Sequence, residues 1–195
     1  MNKAERAICD FFAGERDMPE AYWSLAKTVN WLFAASRKEK IKALSPLKLQ
    51  KMLYLMNGIC LREKGRPLIR EHAQAWKYGA VFPEAYHEYK EFGVDCISLG
   101  TLYYMGEKQE KNNTIIKVKP YPEDNPNQEE LGDMLRQTII KYKKFNGIEL
   151  SNLTHRNDAD NPIIKAREIS TLLNIENIPI PHVRIMEYFN KNCEW

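Results

Sequence analysis

Apolar residues recur every three or four positions along most of the chain, which predicts a mainly helical protein. The clearest segment runs from Ser45 to Gly65. Ser45 is a preferred N-cap residue, Pro46 suits the first helical position, and Gly65 suits the left-handed end of a helix. An apolar stripe this complete predicts the central helix of the core. The stripe consists of Leu49, Met52, Leu53, Met56, Ile59 and Cys60.

The same spacing predicts helices on both sides of this segment. Asp17 and Glu20 have the spacing of a capping box for a helix over residues 18–36. Asn127 and Glu130 have the same capping-box spacing at the start of another helix, which is expected to end at Gly147. The remaining predicted helices cover residues 3–13, 83–93, 162–170 and 181–190, with one short helical turn at 150–153.

Extended structure is predicted in the middle of the chain. Residues 102–105 and 114–119 are rich in β-forming residues and flank a polar loop, which predicts a β-hairpin. Residues 69–81 are expected to be irregular or briefly extended. The expected fold is therefore mainly α with a small β-hairpin (α+β), in a single compact helical domain. We expect a short N-terminal helical extension over residues 1–17 and the main domain over residues 18–195.

Composition indicates an ordinary globular protein. Of its 195 residues, 44% are hydrophobic and 28% are charged, and the formal net charge is +3. The basic residues are interleaved with acidic ones, so direct nucleic-acid binding is not expected. No apolar run is long enough to cross a membrane, and the N-terminus lacks the apolar region of a signal peptide, so we expect a cytoplasmic protein. The dispersed cysteines, expected to be reduced, are Cys9, Cys60, Cys96 and Cys193.

Motifs for catalysis or metal binding are missing from the sequence. It contains no HExxH pair, no Cys/His ligand spacing, no GxSxG turn and no glycine-rich phosphate loop, so no catalytic residue, metal or cofactor is expected. A zinc site assembled from distant residues remains an alternative. His155 follows Thr154 in a polar turn, where a turn-stabilising role is favoured over that of a general base. Cys60 lies on the apolar stripe, where a thiol is unreactive.

An aromatic segment, AWKYGAVF, follows the central helix at residues 75–82. Its rings can fill the core or anchor an interface with another protein. A core role is favoured for Trp76. Lys77 and Tyr78 are better candidates for an interface.

The helix motif SPLKLQKMLY is followed by AWKYGAV and then by LTH. These three motifs, in this order, resemble the Panacea domain, the SocA-like and GepA-like family of bacteria and phages. The chain departs from the family pattern at Ala80, where proline is usual, and at Ile163, where tryptophan is usual. Motif residues expected to be structural are Ser45, Pro46, Leu49, Gln50, Tyr54, Gly79, Val81, Thr154 and His155.

The resemblance implies an antitoxin of a bacterial or prophage type II toxin–antitoxin system, which is not an enzyme and neutralises a cognate toxin by direct protein–protein binding. The alternatives are a phage-associated adaptor that delivers a partner to a protease, and an enzyme that uses His155. The candidate partner-binding residues are Lys51, Trp76, Lys77 and Tyr78.

Overall fold

The computed structural model describes residues 2–41, 44–97, 129–156, 158–192 and residue 195. Within these ranges the chain is mostly helical, and its two short strands pair in an antiparallel sheet. The expected fold class is confirmed. The helices are α1 (Lys3–Phe12), α2 (Leu25–Lys38), α3 (Pro46–Lys64), α4 (Pro83–Tyr89), α5 (Glu129–Tyr142), α6 (Gly147–Thr154), α7 (Pro162–Leu173) and α8 (His182–Lys191), and the strands are β1 (Gln74–Trp76) and β2 (Gly79–Val81).

Helix α3 lies at the centre of the core, as predicted. The Ser45 hydroxyl accepts a hydrogen bond from the Lys48 amide at 3.3 Å, and Gly65 closes the helix with a φ of +61°. Helices α4, α5, α6 and α8 all pack against it. At Gly58, an added Cβ would lie only 2.3 Å from the Phe189 ring of α8, so the close packing of these two helices requires a glycine. None of the helices in the described ranges has the length and hydropathy needed to cross a membrane.

Helix α2 begins later than the sequence pattern predicts. Its N-cap is Ser24, and Asp17 lies in a short 3-10 turn, so the predicted capping box of Asp17 and Glu20 is wrong. The reason is a tertiary contact: the amides of Tyr22 and Trp23 donate to carbonyls of the segment after α3, both at 2.9 Å. This pairing holds residues 22–23 extended, which overrides the local preference for helix.

Helix α5 ends earlier than predicted. Its last residue is Tyr142, and Gly147 is the first residue of α6 rather than the end of α5. The Asn146 side chain accepts from the amides of Ile148 and Glu149, both at 2.9 Å, and therefore caps a new helix. The predicted start of α5 at Asn127 lies outside the described residues.

The β-hairpin formed by β1 and β2 lies within the segment predicted to be irregular or briefly extended. Gln74 is opposite Val81, and Trp76 is opposite Gly79. Strand β1 is held on its other side, where the Ala75 amide donates to the Ile178 carbonyl at 3.2 Å. The hairpin predicted over residues 102–119 lies outside the described residues, and the division of the chain at residues 17 and 18 stays a prediction.

Candidate functional site

The hairpin β1–β2 is fixed to α3 by two polar side chains of the helix. The Lys51 ammonium donates to the Ala80 carbonyl at 3.0 Å, and the Gln50 side-chain carbonyl accepts from the Phe82 amide at 2.8 Å. Lys51 is 0% exposed, an uncommon position for a lysine. The helix motif and the aromatic motif of the sequence therefore meet at this contact.

Gly79 is required at this contact for two reasons. Its φ of +98° lies in a region that residues with a side chain rarely adopt. In addition, a Cβ at this position would lie 2.7 Å from the Lys51 ammonium nitrogen. The glycine thus allows the hairpin to turn and lets the lysine approach its backbone.

The LTH motif contributes the end of α6 and the turn that follows it. The Ser151 hydroxyl donates to the Tyr78 carbonyl at 3.0 Å, which ties α6 to the hairpin. The Thr154 hydroxyl donates to the Leu150 carbonyl of its own helix at 2.9 Å. The side-chain amide of the buried Asn161 donates to the Thr154 carbonyl at 3.2 Å and holds the turn closed. All three motifs consequently contribute to a single site beneath the hairpin.

Three basic groups, which we call the basic cluster, lie together here: Lys51, His155 and Arg167. A His155 ring nitrogen lies 3.3 Å from the Arg167 guanidinium. Burial lowers the pKa of Lys51 to about 7. Burial, followed by the charges of Arg167 and Lys51, also lowers the pKa of His155. Within the part of the chain that the structure describes, no carboxylate forms an ion pair with any of the three. The uncharged forms of Lys51 and His155 are therefore favoured.

The chemistry available to this cluster is limited. His155 is half-buried and its ring contacts Arg167. Among the described residues, no hydroxyl or thiol forms a hydrogen bond with the His155 ring, whereas nucleophilic catalysis usually shows such a pair. Among the described residues, Lys51 is the member of this cluster that bonds to the hairpin, through the Ala80 carbonyl.

The surface above this support carries the hairpin tip, Lys77 and Tyr78. Tyr78 is 65% exposed, and the Lys77 ammonium lies 5.4 Å from the centre of its ring. Beside the tip, the rings of Trp76, Tyr86 and His87 form an aromatic cluster: the Trp76 ring is 4.9 Å from Tyr86 and 6.5 Å from His87. The tip and the aromatic cluster together form a surface with both cationic and aromatic character.

The candidate partner-binding residues fall into different environments. Lys77 and Tyr78 are exposed, and Trp76 is half-buried with its ring nitrogen donating to Gln74 at 3.0 Å. Lys51 lies beneath the surface, so a partner would contact it only if the hairpin moved. Their roles in binding stay predictions. Arg167 was missed because it lies on α7, 12 positions after His155 and outside the three motifs.

Comparison with known proteins identifies the family. The profile of the family described as Antitoxin SocA-like, Panacea domain, matches residues 49–159, which is more than half of the chain. This chain belongs to that family. The match includes Lys51, the whole hairpin and His155, whereas Arg167 lies beyond it.

Among curated proteins, antitoxin SocA of Caulobacter vibrioides is 27% identical over 116 residues. The aligned region covers 57% of this chain and 55% of the relative, so the chain spans about half the length of the curated relative that it matches. No solved structure matches this chain.

Proposed function

We propose that this chain is the antitoxin of a type II toxin–antitoxin system and neutralises a protein toxin by binding it directly. Membership of the Antitoxin SocA-like, Panacea domain family supports the antitoxin role, as does the name of the relative. The cognate toxin is the partner that this role requires, and the protein acts by binding rather than by catalysis. It carries out this role in the cytoplasm.

The toxin binds at the hairpin tip and the adjoining aromatic cluster. Tyrosine and tryptophan are enriched among the residues that dominate binding energy at protein interfaces. Tyr78 offers a large ring that is 65% exposed, and Lys77 offers a cation above it.

The observation that carries this proposal is the way the tip is held from beneath. Ser151 donates to the Tyr78 carbonyl at 3.0 Å, and Lys51 donates to the Ala80 carbonyl at 3.0 Å. The backbone of the hairpin is therefore fixed at two points while the Tyr78 ring is presented to solvent. A contact surface that is ordered before binding loses less conformational entropy when the partner binds.

The test is co-expression with the product of the adjacent gene. We expect that product to stop growth alone, to become harmless together with this chain, and to co-purify with it. Tyr78→Ala and Lys77→Ala should each weaken binding about tenfold or more while the thermal transition stays in place. Leu172→Ala is the matched control, because Leu172 is an exposed apolar residue on α7 that lies outside the tip and the aromatic cluster.

The possible outcomes test the antitoxin function and the proposed binding surface separately. If no adjacent gene product is toxic, or none co-purifies, the antitoxin function is wrong. If a toxin binds but both tip variants bind it as tightly as the Leu172 variant does, the function stands and the surface is wrong. Faster turnover of the partner in the presence of this chain would instead indicate a protease adaptor.

A further inference from the structure

Outside the hairpin site, a carboxylate and two imidazoles meet from three distant parts of the chain. Glu15 lies in the 3-10 turn after α1, His72 lies just before β1, and His182 is the first residue of α8. Glu15 Oε1 is 2.6 Å from His72 Nε2 and 3.3 Å from His182 Nδ1. One donor atom from each residue lies within 4.8 Å of the other two. We call this group the Glu15 cluster.

We propose that the Glu15 cluster binds a divalent transition-metal ion, and that Zn²⁺ fits it best. Two imidazole nitrogens with one carboxylate oxygen are a common donor set of zinc sites that keep an open position. Metal–donor bonds of about 2.0–2.2 Å in tetrahedral geometry place neighbouring donors about 3.4 Å apart. The observed separations of 2.6 Å and 3.3 Å, with the third at most 4.8 Å, bring all three donors together. The first is a hydrogen-bond distance, so His72 must move back by about 0.8 Å to share an ion with Glu15.

The scaffold positions the carboxylate independently of any ion. The second oxygen of Glu15, Oε2, accepts a hydrogen bond from the Val183 amide at 3.0 Å, which leaves Oε1 facing the imidazoles. The Arg184 guanidinium donates to the Phe11 carbonyl at 2.9 Å and to the Ala13 carbonyl at 3.1 Å, which fixes the end of α1 beside α8. The Val183 amide thus orients the carboxylate from outside the site, as outer-shell groups orient metal ligands, and the guanidinium holds α1 next to α8.

The two imidazoles are already held at the carboxylate oxygen that an ion would bind. Burial acts to raise the pKa of the Glu15 carboxyl, but hydrogen bonds with His182, His72 and the Val183 amide outweigh it and hold that pKa well below its usual range. The geometry therefore brings both ring nitrogens to Glu15 Oε1 before any ion is present.

Small movements of one side chain would complete the site. The two imidazole rings are stacked, with centres 4.3 Å apart and planes inclined by 23°, so one ring must turn before both nitrogens can face the same ion. His182 is buried at 4% exposure, whereas the side chain of His72 is 37% exposed and has room to rotate. The exposed side at His72 also gives an ion access and leaves the fourth position for water or another ligand.

Zinc binding by the metal-free full-length chain tests this proposal. The accessible thiols are first blocked with iodoacetamide, because the exposed Cys9 and Cys96 are alternative ligands. Titration with Zn²⁺ in competition with a coloured chelator should show one equivalent bound, and the thermal transition should rise with Zn²⁺ but not with Mg²⁺. Co²⁺ should give the visible absorption of a tetrahedral site.

His72→Gln is the decisive variant because His72 is half-exposed and its replacement leaves the core intact. It should lower zinc affinity at least about tenfold and abolish the cobalt absorption. His155→Gln, a histidine outside the cluster, should bind zinc like the parent protein. His182→Gln is a second test, with circular dichroism to confirm that it folds.

The proposal is overturned if the parent chain binds Zn²⁺ no more tightly than the His72 variant does. It is also overturned if the His155 variant, rather than the His72 variant, no longer binds one equivalent of zinc. In either case the Glu15 cluster is an ion pair between a carboxylate and two histidines that holds α1 against α8.

Discussion

Two groups of basic side chains in this protein balance charge in different ways. In the Glu15 cluster, two histidines share one carboxylate, at 2.6 Å and 3.3 Å. In the basic cluster, the Lys51 ammonium donates to the backbone carbonyl of Ala80 at 3.0 Å, and no carboxylate within the described ranges pairs with it. The first group therefore contains a carboxylate among basic side chains, and the second consists of basic side chains alone.

The difference shows that the environment, rather than the residue type, sets the charge state. Hydrogen bonds to two imidazoles keep the Glu15 carboxyl ionised despite its burial. Burial without a counter-charge lowers the pKa of Lys51 to about 7, which favours its uncharged form far more than in an ordinary lysine. The Glu15 cluster suits a cation, whereas the basic cluster suits a rigid support for the hairpin.

The largest expected effect comes from closing the space above Lys51. Gly79→Ala should lower the free energy of unfolding by about 3 kcal/mol, because it combines a positive φ with a contact of 2.7 Å to the Lys51 nitrogen. Chemical denaturation measures this change. Gly65→Ala is the control: its φ is +61° but the space around it is open, so it should lose only about 1 kcal/mol. Equal losses of stability in the two variants would mean that the contact with Lys51 does not destabilise the Gly79 variant.

The pH dependence of stability distinguishes the two clusters directly. The pKa of Lys51 is about 7 in the folded chain and about 10.4 when unfolded, so the unfolded chain binds more protons between these values. Lys51 therefore makes the folded state more stable as pH rises from about 7 to about 10, and the gain between pH 7 and 9 is on the order of 2 kcal/mol.

Lys51→Met should lose this gain, which denaturation at several pH values would show as a flatter curve than that of the parent protein. Lys165→Met on α7 is the control, since its ammonium is exposed to solvent and bonded to Asp160. Parallel curves for the parent protein and the Lys51 variant would contradict the lowered pKa.

Removal of the carboxylate from the Glu15 cluster should have a smaller effect. Glu15→Gln keeps the shape of the side chain, and we expect a loss of about 1–2 kcal/mol in the presence of a metal chelator, because the buried His182 loses its charged partner. Denaturation at pH 7 provides the measurement. Glu176→Gln, an exposed residue, should change stability by less than about 0.5 kcal/mol. If Glu15→Gln loses no more stability than this control, the carboxylate does not stabilise the Glu15 cluster, and the proposed difference between the two clusters is wrong.

The smallest effect is expected at the edge of the basic cluster. His155→Gln should change the free energy of unfolding by less than about 1 kcal/mol, because the ring is half-buried and its contact with Arg167 at 3.3 Å joins two basic groups. Asn161→Ala is the comparison in the same turn, and it should lose about 2 kcal/mol because its buried side chain bonds to three backbone groups. A His155 variant as unstable as the Asn161 variant would assign the ring a main structural role.

Helix α3 could be predicted in detail because its signals are local. Ser45 caps it, Pro46 begins it, and Gly65 ends it, and each residue acts through its own backbone conformation. The start of α2 was missed because residues 22–23 pair with the segment after α3, which no local pattern shows. The end of α5 was missed because Gly147 suits both the end of one helix and the start of the next.

The candidate sites show the same limit. The motifs identified Lys51, the hairpin and His155, but not that Lys51 would lie beneath the hairpin instead of on the surface. The Glu15 cluster left no trace in the sequence pattern, since Glu15 and His72 are 57 positions apart and belong to no common motif. Contacts at such separations depend on how the helices pack, and periodicity describes only which face of a helix is buried.

The Arg184 guanidinium has a consequence for the order of folding during synthesis on the ribosome. It donates to carbonyls at the end of α1, and its partner Phe11 lies 173 positions earlier in the chain. While the intervening residues are being translated, those carbonyls must bond to water. The contact between α1 and Arg184 therefore forms only after α8 has emerged, when the segment matched by the family profile is already complete. Protection of α1 from a protease would accordingly report that α8 has packed against it.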